Sequence, residues 1–429
     1  MFCFAFLLLF LAVVNYYIER RKDSPTFLFF SIWCWVTLLF SFQYYKLPIS
    51  SKTVTIILVM LVAFPLGSCM YSSLSKKKAH KNINDNNPNI TNENYNTVLN
   101  KHFFWIFCII TIAIMLVDEV VIIAEVLKGK SFLDIIKENG SINTVEISGV
   151  KAILYLFIVN PTTYFVSPVC AAEILAGKTS KTPYIIVNVA IIFLAVMHHG
   201  ARLMIIVTII VYLFTAYSYG KKISITKSFK NSLKIAIIFA TAIIVKLSIS
   251  RGIDDVIGSF YMYFVCEIPV CDSLLKTDEF TQPAWGYLSF NGLIYPIVAV
   301  LKVIRYTPSS LYSYVQSLRI FIENNWIYVE DYGHQVNAFL PAGAFPYIDG
   351  GVVFEAIVML FSGFYSRKMY TKMNMCKSQK NVALYAFLVI GICLSFYRFY
   401  LTSYQFVLAM LYVVFMYKKE EKTDGQRMK

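Results

Sequence analysis

Residues 198–202 read His-His-Gly-Ala-Arg and sit between two strongly apolar runs of a 429-residue chain. A guanidinium in such a place can grip phosphate oxygens through two parallel hydrogen bonds and keeps its charge when partly desolvated. Arg202 is therefore a candidate oxyanion-binding residue, and Gly200 lets the backbone turn tightly or approach a ligand closely. Adjacent imidazoles point apart on a helix and no carboxylate is near, so no metal site is expected here. His198 and His199 read as interfacial hydrogen-bonding residues.

Other chemistry-bearing residues follow later in the chain. Arg251 opens the stretch "SRGIDD", Arg305 and Arg319 lie further on, and Arg398 sits between two late apolar segments. His334 has Glu330, Asp331 and Asp349 close in sequence. An imidazole near neutral pKa can take a proton from a sugar hydroxyl, and a carboxylate can orient it, so His334, Asp331 and Asp349 are the candidate catalytic groups. Asp349 precedes Gly350-Gly351 and could equally cap a helix or hold an arginine. Asp118-Glu119 is a further acidic pair at membrane depth, either a binding-site acid or an interface residue.

The elements that must position these groups are apolar. The chain is 58% hydrophobic, with 35 Phe and 30 Tyr, more apolar surface than a soluble domain of this length can bury. Eleven segments of transmembrane character lie near 2–18, 25–43, 52–71, 103–123, 151–171, 183–197, 203–219, 233–249, 351–366, 382–397 and 400–417. The expected fold is all-α: one polytopic integral membrane domain over residues 1–429 with about 11 spans, within a range of 10 to 12. The first segment lacks a basic n-region and its charges follow it, so it reads as a span with its N-terminus outside rather than a cleaved signal.

Alternating from there, the cytoplasmic segments become 19–24, 72–102, 172–182, 220–234, 367–381 and 418–429. Together they hold 25 of the 39 lysines and arginines. The net charge of +14 is thus a matter of topology, helped by anionic lipid headgroups, and needs no nucleic acid. Five of nine arginines (202, 251, 305, 319 and 398) fall on the outer side, against nine of thirty lysines. An outer face relatively rich in arginine suits an anionic, phosphate-bearing substrate. The arms flanking "HHGAR" have 16 and 18 residues between Lys181 and Lys221. At 1.5 Å per residue they reach roughly 24 and 27 Å, which puts the turn near headgroup level.

Residues 72–102 contain an Asn-rich tract expected to be a cytoplasmic polar linker. Residues 250–350 form the single large outer loop. Within it 287–305 reads as an interfacial or re-entrant helix. Residues 311–329 read as a helix with Leu311, Val315, Leu318 and Phe321 on its packed face. Cys266 and Cys271 fall together on the outer side, where a disulfide and two free thiols are both open.

Taken together, about eleven spans, the Gly-x-Arg turn in "HHGARLMIIV" and the arginine opening one long loop in "SRGIDD" resemble the Wzy-type O-antigen and oligosaccharide repeat-unit polymerases. "FYMYFVCEIPVCDSLL" is similar to that family's stretch after the loop arginine. "FPYIDGGVVFEAIVMLFSGFYSR" is similar to its Asp-x-Gly motif, with Gly350 where an aromatic is usual. The likeness covers roughly residues 190–370. It implies a GT-C-like inverting glycosyltransferase of the bacterial inner membrane, with its active site on the periplasmic face and no cofactor or metal. The substrate would be an undecaprenyl-pyrophosphate-linked oligosaccharide, the surroundings membrane lipids, and a polysaccharide chain-length regulator a further partner. On that resemblance Arg202, Arg251, Arg398 and Arg319 would hold the pyrophosphate, and His334 would accept the acceptor hydroxyl's proton with Asp349 or Asp331 behind it. The alternatives are an O-antigen ligase, which shares this layout, and a flippase for the same lipid-linked sugars. A transporter would be expected to show an internal repeat and short loops on both sides, and neither is present here.

Overall fold

A computed structural model of the chain describes residues 2–84, 97–129, 149–177, 180–199, 203–220, 256–280, 282–303, 307–336 and 340–419. Helix dominates. In chain order the helices that matter here are α1 (Phe2–Glu19), α2 (Pro25–Ser41), α3 (Ser51–Asn84), α4 (Lys101–Leu127) and α5 (Val150–Ala176), which contains a π turn at Tyr155–Val159. They continue with α6 (Lys181–His199), α7 (Leu203–Ser218), α8 (Val256–Val265), α9 (Glu267–Leu274), α10 (Asn291–Val303), α11 (Ser310–Asn324), α12 (Ala344–Met375), α13 (Gln379–Cys393) and α14 (Tyr404–Met416). Ten of the eleven apolar segments coincide with helices, and the eighth, 233–249, lies outside the described residues. Among the described residues six helices are long and apolar enough to cross a membrane: α1, α3, α4, α5, α6 and α12. The protein is a membrane-embedded helical bundle.

Local sequence sets where these helices begin. Ser24 caps α2 through a bond from the Phe27 amide and is followed by Pro25, whose missing N–H is harmless at a first helical position. Asn100, Ser309 and Ser378 cap α4, α11 and α13 in the same way. Helix α13 is buried on all sides, as its apolar circumference requires, and packs on α2, α5, α7, α12 and α14. The tightest pairing joins α3 to α12. A Cβ at Gly67 would stand 1.9 Å from the Leu360 carbonyl oxygen, and one at Gly363 would stand 1.8 Å from that of Phe64. With no water to expel from the bilayer core, such backbone approach is a principal source of helix attraction.

The basic segments among the described residues gather at one end of the bundle. Arg367 bonds Glu19 at 2.6 Å, the Lys22 amide donates to Tyr217, and the Tyr385 hydroxyl donates to the Asp23 carbonyl. Two short antiparallel strands, β1 (Thr97–Leu99) and β4 (Tyr417–Lys419), tie residues before α4 to residues after α14. Helix α3 runs through the lysine-rich stretch as far as Asn84, so that part of the expected linker is helical.

At the opposite end the described part of 250–350 is a folded layer. Helix α10 has 13 residues, about 20 Å, and is preceded by turns rather than extending over the whole of 287–305. Helix α11 stops at Asn324 instead of continuing to 329. Strand-favouring Ile327-Tyr328-Val329 form β2, which pairs with β3 (His334–Val336) across a turn at Gly333, where φ is 71°. The buried face of α11 is Tyr312, Val315, Leu318 and Ile322, rotated from the expected stripe. Cys266 and Cys271 are both free and buried.

Asp272 welds this layer to α3. It accepts from the Ser50 amide at 2.7 Å, from the Ser50 hydroxyl and from Thr53 at 2.8 Å, and it pairs with Lys276 at 2.5 Å. Burial alone would push its carboxyl up, but Lys276 and the Ser50 and Thr53 donors outweigh it and hold it at about 2.

Two outcomes follow. Gly363→Val forces a side chain into the Phe64 carbonyl and lowers stability by at least the upper end of overpacking effects, about 3 kcal/mol, read as a fall in Tm in detergent. Because the native carboxyl of Asp272 is depressed, its stabilisation is complete above the ordinary Asp pKa near 4 and is lost as pH falls toward 2. Asp272→Asn therefore lowers Tm at pH 7 and flattens the acid limb of the Tm–pH curve, a comparison made by thermal melts from pH 7 to 2.

Candidate functional site

Helix α11 places Gln316, Arg319 and Glu323 about one helical turn apart, beside the face that packs inward. Arg319 and Glu323 approach to 3.9 Å as an i, i+4 pair. From another element, the turn between α13 and α14, Arg398 reaches the same carboxylate with Nη2 at 3.3 Å from Glu323 Oε1. Two arginines 79 positions apart in sequence thus converge on one acid.

Each guanidinium has further support. Arg398 Nε donates to the Thr402 hydroxyl at 3.4 Å, and its backbone amide bonds the Leu394 carbonyl. The Arg319 guanidinium lies 5.3 Å from the ring centre of Tyr295, a cation–π contact. Tyr295 packs 5.1 Å from Tyr404, whose hydroxyl accepts from Asn160 of α5 at 2.7 Å. Gln316 donates to Asn291 of α10 at 2.8 Å, and Asn291 donates to the Thr402 carbonyl. Gly292 allows that seating, since a Cβ there would lie 2.5 Å from the Leu401 carbonyl oxygen. The three charged side chains keep 15% (Arg319), 23% (Glu323) and 19% (Arg398) of their surface, so a solute can reach them. The trio carries a net charge of +1, and Arg319 Nε is buried without a hydrogen-bond acceptor among the described residues.

The structure thus brings together two of the seven expected site residues, Arg319 and Arg398. Arg202 and Arg251 lie outside the described residues, as does Arg305. Asp331 is exposed in a 3-10 turn and accepts from the Lys46 amide at 3.0 Å. His334 shares that hairpin, paired with Val329 in backbone register, and its side chain is outside the described atoms. Asp349 is fully buried, and its two oxygens accept from the Leu288 and Ser289 amides at 3.1 and 2.7 Å. It therefore caps the turn leading into α10, while the chain bends after it at Gly350-Gly351, where Gly351 has φ 72°.

A second polar cluster sits on α4, α5 and α6. Asp118 accepts from Lys151 at 2.6 Å and from the Tyr155 hydroxyl, and His198 Nε2 lies 3.2 Å from that hydroxyl. Tyr155 opens the π turn, a feature frequent at functional sites. These groups satisfy one another, which makes the cluster an interhelical tie.

Glu323, Gln316, Asn291, Tyr295, Tyr404 and Asn160 were not singled out from the sequence. The Arg319–Glu323 spacing was the one visible signal. Compared with family models, curated proteins and solved structures, the chain matches none.

Asp349→Ala would leave the Leu288 and Ser289 amides buried without an acceptor, at about 1–3 kcal/mol in stability. The expected result is a lower Tm and reduced recovery of folded protein on gel filtration. A variant as stable as wild type would show that the carboxylate has another purpose.

Proposed function

We propose that the protein is a membrane-embedded inverting glycosyltransferase of GT-C type, a polysaccharide repeat-unit polymerase of the O-antigen kind. In this reading it sits in a bacterial inner membrane with its site on the periplasmic face. It moves a growing glycan from undecaprenyl pyrophosphate to the non-reducing end of a new lipid-linked repeat unit, with a chain-length regulator as a further partner.

The observation that carries the reading is the convergence of Arg319 and Arg398, from separate elements, at the end of the bundle opposite the basic segments. In the transfer, the acceptor hydroxyl oxygen forms the new bond to the donor's anomeric carbon. The bond from that carbon to phosphate breaks, and its electron pair leaves with the pyrophosphate. Negative charge then grows on the departing phosphate oxygens, where preorganised guanidiniums lower the barrier most. Arg202 and Arg251 join the clamp in this proposal. The hydroxyl proton goes to His334, with Asp331 three residues before it on the same hairpin. Asp349, whose oxygens are held by backbone amides, serves by fixing the turn before α10.

The test uses purified protein in liposomes with a synthetic undecaprenyl-pyrophosphate oligosaccharide, read on a gel that resolves ladders. Wild type should give a ladder. Arg398→Ala and Arg202→Ala should each slow it by roughly 10²–10³-fold, as for loss of one fixed donor at a developing oxyanion. The lysine variants should recover little, because an ammonium cannot reproduce the planar fork. A ladder unchanged in Arg398→Ala would remove Arg398 from the clamp. Lipid movement across the bilayer with no ladder would make the protein a flippase.

A further inference from the structure

We infer that Glu323 is a built-in counter-anion: it occupies the oxyanion position between Arg319 and Arg398, and a phosphate-bearing ligand displaces it. The inference rests on reading the arginine pair as a phosphate site and assigns the acid within it a role of its own.

Three features of the geometry lead there. First, the acid serves the two arginines unequally. Glu323 Oε1 is 3.3 Å from Arg398 Nη2 but 3.9 Å from Arg319 Nε, beyond hydrogen-bond length. Among the described residues Arg319 Nε is a buried donor without an acceptor, a group that normally costs stability unless something fills the gap. A ligand oxygen between the two guanidiniums would satisfy it.

Second, the arginines are held without the acid. Thr402 fixes Arg398 Nε and the Tyr295 ring supports Arg319, so both cations stay in place when the carboxylate leaves. Third, Glu323 stands at the end of its helix. It is the penultimate residue of α11, and the next residue after the helix, Asn325, is extended with φ −81° and ψ 120°. A carboxylate in the last helical turn is opposed by the helix dipole, so its departure from the arginines is less costly than from mid-helix. An incoming diphosphate, carrying more than one negative charge, repels Glu323 as it pairs with the guanidiniums.

The consequence is a site with tempered affinity. While empty, Glu323 keeps two half-buried cations from facing each other uncompensated. After transfer, it competes with the diphosphate product for the same guanidiniums and speeds its release.

The experiment titrates inorganic pyrophosphate, with orthophosphate as comparison, into the full-length protein in maltoside micelles by calorimetry. Glu323→Gln keeps the shape and removes the charge, and should bind pyrophosphate at least tenfold more tightly than wild type. Glu323→Asp keeps the charge on a shorter arm and should fall between them. It carries the test if Glu323→Gln does not elute as a folded species. Adding Arg398→Ala to Glu323→Gln should abolish the gain. Wild-type binding that is lost in Arg398→Ala but unchanged in Glu323→Gln and Glu323→Asp would overturn the displacement while leaving the phosphate site standing. No pyrophosphate binding by any form, or equal binding with Arg398→Ala, would overturn the site and the inference together. Ladder synthesis by the same proteins reports on the transferase reading separately.

Discussion

Backbone that leaves a helix inside an apolar bundle must find its hydrogen bonds among other backbone and polar side chains, because lipid offers none. The turn Leu394–Ser403, between α13 and α14, meets that requirement by tying together most of the end of the bundle away from the basic segments. Ser395 accepts from the Trp33 indole of α2, and its carbonyl accepts from the Ala342 amide ahead of α12. The Leu401 and Ser403 carbonyls lie against Gly292, and the Thr402 carbonyl accepts from Asn291. A turn pinned from α2, α10 and the start of α12 has no freedom to tilt. Arg398, projecting from its middle, inherits that rigidity. Catalytic or binding groups on rigid supports need less reorganisation when charge develops, so the hydrogen bonding of this turn is what makes a fixed cation possible.

The charges themselves are tolerated for local reasons. An arginine at the edge of an apolar bundle must be paired, stacked or partly wet. Arg398 is paired and keeps some solvent contact, while Arg319 is stacked on Tyr295 and only loosely paired. Aromatic packing runs from there through Tyr404 to Asn160, so uncharged residues on α5, α10 and α14 set the position of a charge on α11. The Asp118 cluster shows the opposite solution. There a carboxylate, an ammonium, a phenol and an imidazole close on one another across α4, α5 and α6 and leave a structural tie.

Apolar runs and charge pattern made most helices legible. Segments such as 25–43 and 203–219 differ from α2 and α7 by a residue or two, since a run of apolar residues in lipid has no stable alternative to helix. Residues 325–336 were less legible. Val329 and Ile327 fit a helical stripe as well as a strand, and only pairing with His334–Val336 selects the strand. The arginine pair was half visible: Arg319 and Arg398 carried a charge worth noticing, but their meeting at Glu323 is a tertiary contact that no spacing encodes. Asp349 was read as a candidate catalytic acid that could equally cap the helix after it, yet the amides it caps lie sixty residues earlier at Leu288 and Ser289. Glu355 was overlooked, although an acid five residues after Gly350 in an apolar run is visible in the sequence. It is fully buried, with neither oxygen bonded among the described residues.

The layer over the bundle sets how far water reaches the arginine pair. At 13 and 15 residues, α10 and α11 are too short to cross a hydrocarbon core of about 30 Å. Helix α10 packs on α14 and on the turn that precedes it, Gln316 joins α11 to Asn291 of α10, and Asp272 fastens α9 to the start of α3. The arginine side chains there are mostly shielded from water yet keep some contact with it. Wholly exposed, the arginines would attract an oxyanion only weakly, because water screens the interaction. Wholly buried, they would need permanent partners and no solute could reach them. Side-chain exposures of 15% for Arg319 and 19% for Arg398 place the pair between these limits, where a charged ligand can enter and still meet donors aimed by the fold.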